Sequence, residues 1–251
     1  MSVATAPIYV VQHTSGEFLG LIEDHLEGRG LRFTYFRPFT TGGGLPASMD
    51  FAKALILLGG GPWGSRGKWA LPNLKEELAL TWASLARGKP VIGIGLGAQI
   101  LAIAAGGSTE PAALTFEVGE ARRVRDGALN GFLPETYPLA IYMRDRPLPP
   151  KEARILAEDR AGHPALFQVA GNCLGFTGNP GAKRGMVEDL IMEFEEVPDN
   201  AAAKLEVLRA LQARIEDELV PIMTGLVQCT SLMSSPKAAA QAARELDKQV
   251  I

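Results

Sequence analysis

The sequence predicts an α/β chain, a doubly wound and mostly parallel sheet followed by a C-terminal helical extension. Two observations carry the sheet. Short apolar runs alternate with amphipathic helical segments over the first two-thirds of the chain, and this spacing belongs to parallel strands joined by crossover helices. Two of the runs, at 54–58 (ALILL) and 90–94 (PVIGI), are apolar at nearly every position, as expected for strands covered on both faces. The extension rests on a third observation, the helical pattern that begins near residue 200 and carries its leucines on one stripe.

In order, residues 7–12 (PIYVVQ) are β-branched and read as a buried first strand. The polar turn 13–17 leads into a helix over 18–27 with apolar spacing at Leu19, Ile22 and Leu26, stopped by Gly28 and Gly30. Residues 31–36 (LRFTYF) alternate as a second strand, and 54–58 form a third ending in Gly59, Gly60 and Gly61. A helix is expected over 75–86, a strand over 90–94 and a helix over 96–105. The segments 116–124, 139–142, 164–170 and 173–176 read as strands too close in sequence for crossover helices, so antiparallel or mixed pairing is expected there. From Asn200 to Leu219, the residues Leu205, Leu208, Leu211, Ile215 and Leu219 share one stripe, with Asp199 or Asn200 as N-cap and Pro221 as the break. An apolar stretch at 220–233 and a third helical pattern at 236–250 follow. The expected division is a domain over 1–198 and an extension over 199–251.

The chain of 251 residues carries 25 basic and 28 acidic side chains. That balance supplies no field for nucleic acid or an anionic membrane. Cys173 and Cys229 cannot build a disulfide framework and read as free thiols of a reducing compartment. The N-terminal segment lacks the basic and apolar regions of a signal peptide, and no run is long enough to span a bilayer. A cytoplasmic location is expected. The histidines 13, 25 and 163 show no metal-ligand spacing, and no metal or cofactor is expected. His13 reads as structural at the end of the first strand, His25 as a surface residue and His163 as part of a turn.

Two segments bear on chemistry. Residues 89–102 (KPVIGIGLGAQILA) are strand, sharp glycine turn and helix, the layout that holds a reactive side chain on a strained elbow. Residues 173–181 (CLGFTGNPG) are a strand and a turn at Pro180. With the opening segment and the run LPASMDFAKALILLGGGPWG, these resemble the class I glutamine amidotransferase family over about residues 7–195, in a flavodoxin-like fold. The family's elbow reads Gly-(Ile/Val)-Cys-Leu-Gly-x-Gln, and this chain has Gly93-Ile94-Gly95-Leu96-Gly97-Ala98-Gln99. The family closes its core with His-Pro-Glu, and this chain has Asn179-Pro180-Gly181. The resemblance thus places Gly95, Asn179 and Gly181 at the positions of the cysteine, histidine and glutamate. Amide hydrolysis by that route needs a thiolate, a base and a group orienting the base. None of the three residues supplies one, so no glutaminase activity is expected.

The resemblance also implies a remnant pocket. Gly59, Gly60 and Gly61 read either as a surviving carbonyl or anion pocket or as a tight strand exit. Gln99 either holds the first turn of its helix, the preferred reading, or contacts a ligand. The run 93–98 also fits a loose G-x-G-x-x-A dinucleotide fingerprint, with Glu117 a poor candidate for the acidic partner. Cys173 reads as an inert buried thiol rather than a replacement nucleophile. Arg122, Arg123, Arg125, Arg144 and Arg146 read as a solvated face balanced by Glu120, Asp126 and Asp145. The expected role is a non-catalytic subunit or scaffold of an enzyme complex, meeting a protein partner or a second copy through the C-terminal helices. The alternative is a small-molecule binder or enzyme using the remnant pocket.

Overall fold

A computed structural model describes residues 6–233. The third helical pattern expected at 236–250 lies outside the described residues. The parallel half of the molecule is built from β1 (Ile8–Val11), α1 (Leu21–Glu27), β2 (Phe33–Phe36), β3 (Ala54–Leu57), α2 (Leu74–Ala86), β4 (Val91–Ile94) and α3 (Leu96–Ala104). The second half supplies β5 (Ser108–Glu110), β6 (Thr115–Arg123), β7 (Thr136–Met143), β8 (Arg146–Leu148), β9 (Arg154–Glu158), β10 (Pro164–Val169) and β11 (Cys173–Phe176). Two helices follow, α4 (Arg184–Glu193) and α5 (Ala201–Cys229).

The main sheet has nine strands in the order β2-β1-β3-β4-β11-β10-β9-β6-β7. The first five pair in parallel and the rest antiparallel. The expected change of pairing beyond residue 115 is therefore present, and β11 returns to the centre beside β4. This return places the end of β11 next to the end of β4, with Phe176 opposite Ile94. The fully buried strands β3, β4 and β11 form the middle, as their unbroken apolar runs require.

Five elements depart from the expected pattern. The strand β9 and the small β5–β8 pair lack the alternation that marks a strand. The first helix starts at Leu21 rather than Phe18, because Gly20 has φ 62° and the Leu21 N–H is taken by the Gly181 carbonyl at 3.1 Å. Pro221 does not break the last helix, which runs through it to Cys229. The proline removes the N–H that would serve the Asp217 carbonyl, but Asp217 is exposed and water can replace the lost donor. Leu219, Ile222, Met223 and Leu226 on the other face are buried, and their packing outweighs the local propensity. Asn200 is the N-cap residue, yet its side chain makes no capping bond.

Leu219, Ile222, Met223 and Leu226 join one core with residues of β1, β3, β4 and β11. Leu208 and Ile215 join another with Phe116 of β6 and with Ala140 and Tyr142 of β7. The apolar stripe of α5 is thus consumed within its own chain. No helix among the described residues is long and apolar enough to cross a membrane.

Candidate functional site

The turn from β4 into α3 is an elbow. Gly95 has φ 57° and ψ −114°, a backbone conformation that costs a side-chain-bearing residue about 1–3 kcal/mol. Its N–H donates to the Phe176 carbonyl at 2.9 Å, tying the elbow to the end of β11. A Cβ at Gly95 would meet nothing closer than the Gly59 Cα, at 3.4 Å. The space above the elbow therefore admits a side chain, and only the backbone angle resists one. Gly97 differs, because α3 is pressed so closely on β3 that a Cβ there would collide with the Leu57 carbonyl.

The turn at 179–181 is organised for packing. The Asn179 N–H donates to the Ala140 carbonyl at 3.0 Å, and its side-chain oxygen accepts from the Gly181 N–H at 2.9 Å. This side chain closes its own turn. A Cβ at Gly181 would stand 2.9 Å from Ile22 Cγ1 and 3.1 Å from Ile22 N, so a longer side chain has no room without movement of α1.

Gly59, Gly60 and Gly61 follow β3 beside the elbow. They are buried and held from several directions. His13 bridges the Gly59 carbonyl (Nδ1, 2.9 Å) and a Glu77 carboxylate oxygen (Nε2, 2.8 Å). Asn73 donates to the other Glu77 oxygen at 2.9 Å. Burial alone would pull the His13 pKa down, but the Glu77 carboxylate and the two hydrogen bonds outweigh it, and the pKa is raised. Both partners are acceptors, so the imidazolium, a donor at both nitrogens, is the form that satisfies them. The structural reading of His13 holds, with the glycine loop as what it supports.

Glu17 also reaches this loop. Its carboxylate accepts from the Gly61 N–H and lies where a Cβ of Gly59 would stand. Burial pushes its pKa up, the Gly61 N–H and His13 lower it, and nearby Glu193 raises it, leaving it at about 7. No signal in the sequence marks Glu17, because its contact spans 44 positions of chain.

Gln99 is buried on α3, and its amide donates to the Arg144 carbonyl at 2.6 Å. Its side-chain oxygen is buried without a hydrogen bond among the described residues. Arg144 and Asp145 are not the solvated charges expected of them. Arg144 is 9% exposed, donates to the Pro62 carbonyl at 2.9 Å, pairs with Glu196 at 2.5 Å and lies over the Trp69 ring. Asp145 is buried, with φ 58°, and accepts from the Ser65 and Ala112 N–H groups. Both fasten the chain after the glycine loop to the β7–β8 corner, a long-range use that local charge balance does not reveal.

The other candidates lie elsewhere. Cys173 begins β11 next to Val91, about 10 Å of strand away from the elbow edge. Its thiol is buried and pushed up to about 11, so it is not poised as a thiolate. Glu117 sits on β6, four strands from β4, and pairs with Lys204 at 2.5 Å, which removes the acidic partner from the dinucleotide fingerprint. His163 is tied to Asp159 at 3.1 Å, and His25 is half-buried beside Arg29. Among the described residues no group of three or more His, Cys, Asp or Glu could hold a metal ion.

Comparison with known proteins agrees with the fold. A glutamine amidotransferase structure from Methylobacillus flagellatus superposes with a TM-score of 0.77 at 20% identity, covering 90% of this chain and 96% of that one. A Thermotoga maritima glutamine amidotransferase gives 0.73 at 22% identity, covering 90% and 98%. A Thermoplasma acidophilum structure described as a GMP synthase subunit gives 0.55 at 18% identity, covering 83% and 98%. These similarities establish the fold. No curated protein sequence matches the chain. The profile of the family described as "Glutamine amidotransferase class-I" matches residues 16–147, just over half of the sequence, and the chain therefore belongs to the class-I glutamine amidotransferase family.

Proposed function

We propose that this chain is a non-catalytic member of its family, acting as a subunit or scaffold of an enzyme complex. The observation that carries the reading is the elbow. It keeps the strained backbone of a nucleophile turn and the space for a side chain, and it holds Gly95. Asn179 is committed to its own turn, and Gly181 is packed on Ile22. Cys173, the alternative thiol, lies at the far end of the central strand β11 from the elbow. A structural neighbour described as a GMP synthase subunit supplies a precedent for this fold within a complex. The stripe of α5 is buried in cis, so a partner would meet other surface, where Phe51 and Trp82 are 77% and 63% exposed. The test has two parts. Purified protein should release no ammonia from glutamine, and protein purified at low salt from its own cells should carry a second protein in fixed ratio. Glutamine turnover, or a lone monomer even with lysate present, overturns the reading.

A second reading, a small-ligand site on the remnant pocket, has its own support. The Gly61 N–H is directed at a carboxylate oxygen, that of Glu17.

A further inference from the structure

Glu17 leaves the turn between β1 and α1 and lays its carboxylate on the glycine loop. Gly61 is its hydrogen-bond donor, and Gly59 is the surface it covers. Gly59 is also the residue that a side chain at Gly95 would touch. We propose that the glycine loop is a binding site for a small carboxylate and that Glu17 is its built-in occupant, excluding an external ligand while its side chain stays in place. The inference rests on the second reading, that the loop still binds an acyl or carboxylate oxygen.

Three observations support it. First, the loop glycines carry no side chains, so the space at Gly59 exists only because the residue is glycine, and a carboxylate fills it. Second, a further polar group stands close by without a partner. The Tyr142 hydroxyl is buried, makes no hydrogen bond among the described residues and feels the charges of Glu17 and Glu196. It is a buried donor within electrostatic reach of the Glu17 carboxylate. Third, the charge of the occupant is opposed as well as favoured. Its ionised form is favoured by His13 at the end of β1 and by the Gly61 N–H, and opposed by burial and by Glu193 of α4. The residue keeps part of its surface in solvent, so rotation outward needs no opening of the core. A resident group of this kind lowers the apparent affinity of a competing ligand by the fraction of molecules in which the site is free.

Acetate is the probe. It is titrated into the full chain at constant ionic strength, with chloride as the control, while the Gly61 amide resonance and the melting temperature are followed. In Glu17→Ala, acetate is expected to bind saturably, return the Gly61 amide toward its wild-type position and raise the melting temperature. Its affinity there should exceed that for wild type by about tenfold or more. Glu17→Gln keeps an oxygen on Gly61 and should respond as weakly as wild type. If Glu17→Ala does not fold, Glu17→Asp, whose carboxylate is drawn back by one methylene, carries the same titration. An unchanged Gly61 amide in the shortened variant would overturn both the site and the second reading. Equal acetate binding by wild type and the shortened variant would overturn only the role of Glu17 and leave the second reading standing.

Discussion

Gly95, Asn179 and Gly181 respond differently to substitution. At Gly95 a cysteine has room, and its cost is the backbone conformation, about 1–3 kcal/mol. At Gly181 a glutamate meets Ile22, and overpacking of that kind costs about 1–3 kcal/mol. The Asn179 side chain would have to surrender its bond to the Gly181 N–H. Gly95→Cys combined with Asn179→His and Gly181→Glu is therefore expected to fold less stably and to release no ammonia from glutamine. Urea denaturation reads the first effect and an ammonia assay the second; turnover in the triple variant would show that the turn can still present a base. Glu17 makes a separate prediction about pH. Its folded pKa of about 7 lies above its ordinary value of 4.5. Below that lower value the carboxyl is protonated in both states. As pH rises the unfolded chain loses its proton first, so stability falls up to about pH 7 and then levels. The loss is on the order of 3 kcal/mol, from about 1.4 kcal/mol per pKa unit. The His13 pKa is also raised, and its contribution is lost as pH climbs through the folded value, in the same direction. Glu17→Gln should flatten the decline below pH 7 and leave the His13 component, as urea midpoints across about pH 4–9 would show.

At the scale of elements, local pattern was enough wherever an element is closed by its own neighbours. The strands β1, β3, β4 and β11 are short apolar runs, and α2 and α3 carry helical spacing, so all were legible. The elbow was legible too, because its glycine spacing is local. What escaped depends on distant partners. The strand β9 is defined by the strands on either side of it. Glu17, Arg144 and Asp145 are recruited to the glycine loop across long stretches of chain. Pro221 misled because its local cost is real, and only the buried side of α5 outweighs it. Gly225, one turn further on, shows the same conflict. Alanine would improve helix propensity by about 1 kcal/mol. Yet a Cβ there would stand 2.5 Å from the Leu129 carbonyl and 2.6 Å from its Cβ, a contact the left-handed turn at Leu129 and Asn130 cannot easily relieve. Gly225→Ala is expected to destabilise by up to about 2 kcal/mol net, because overpacking of about 1–3 kcal/mol exceeds the propensity gain. A rise in the urea midpoint would mean that the turn yields.

For the whole molecule, the decisive question is whether α5 is an appendage or part of the fold. The sequence suggests an extension beginning at residue 199, because the helix follows the last strand and carries its own stripe. In the folded chain Leu219, Ile222, Met223 and Leu226 pack into the core beneath β1, β3, β4 and β11, and Leu208 and Ile215 cover β6 and β7. At about 1.5–3 kcal/mol for each large apolar side chain buried, these six contribute on the order of 10 kcal/mol. That is comparable to the whole stability of an ordinary domain. Their removal would also bare apolar sheet surface to water. A chain ending at residue 198 is therefore expected to lose cooperative unfolding, bind a hydrophobic dye and aggregate. Circular dichroism melts and dye fluorescence on the truncated and full chains test this. A sharp melt in the truncated chain would make α5 a separable arm, free to serve a partner. Failure to fold would leave any partner to dock on the outer surface, with α5 holding the elbow and the glycine loop in place through the sheet.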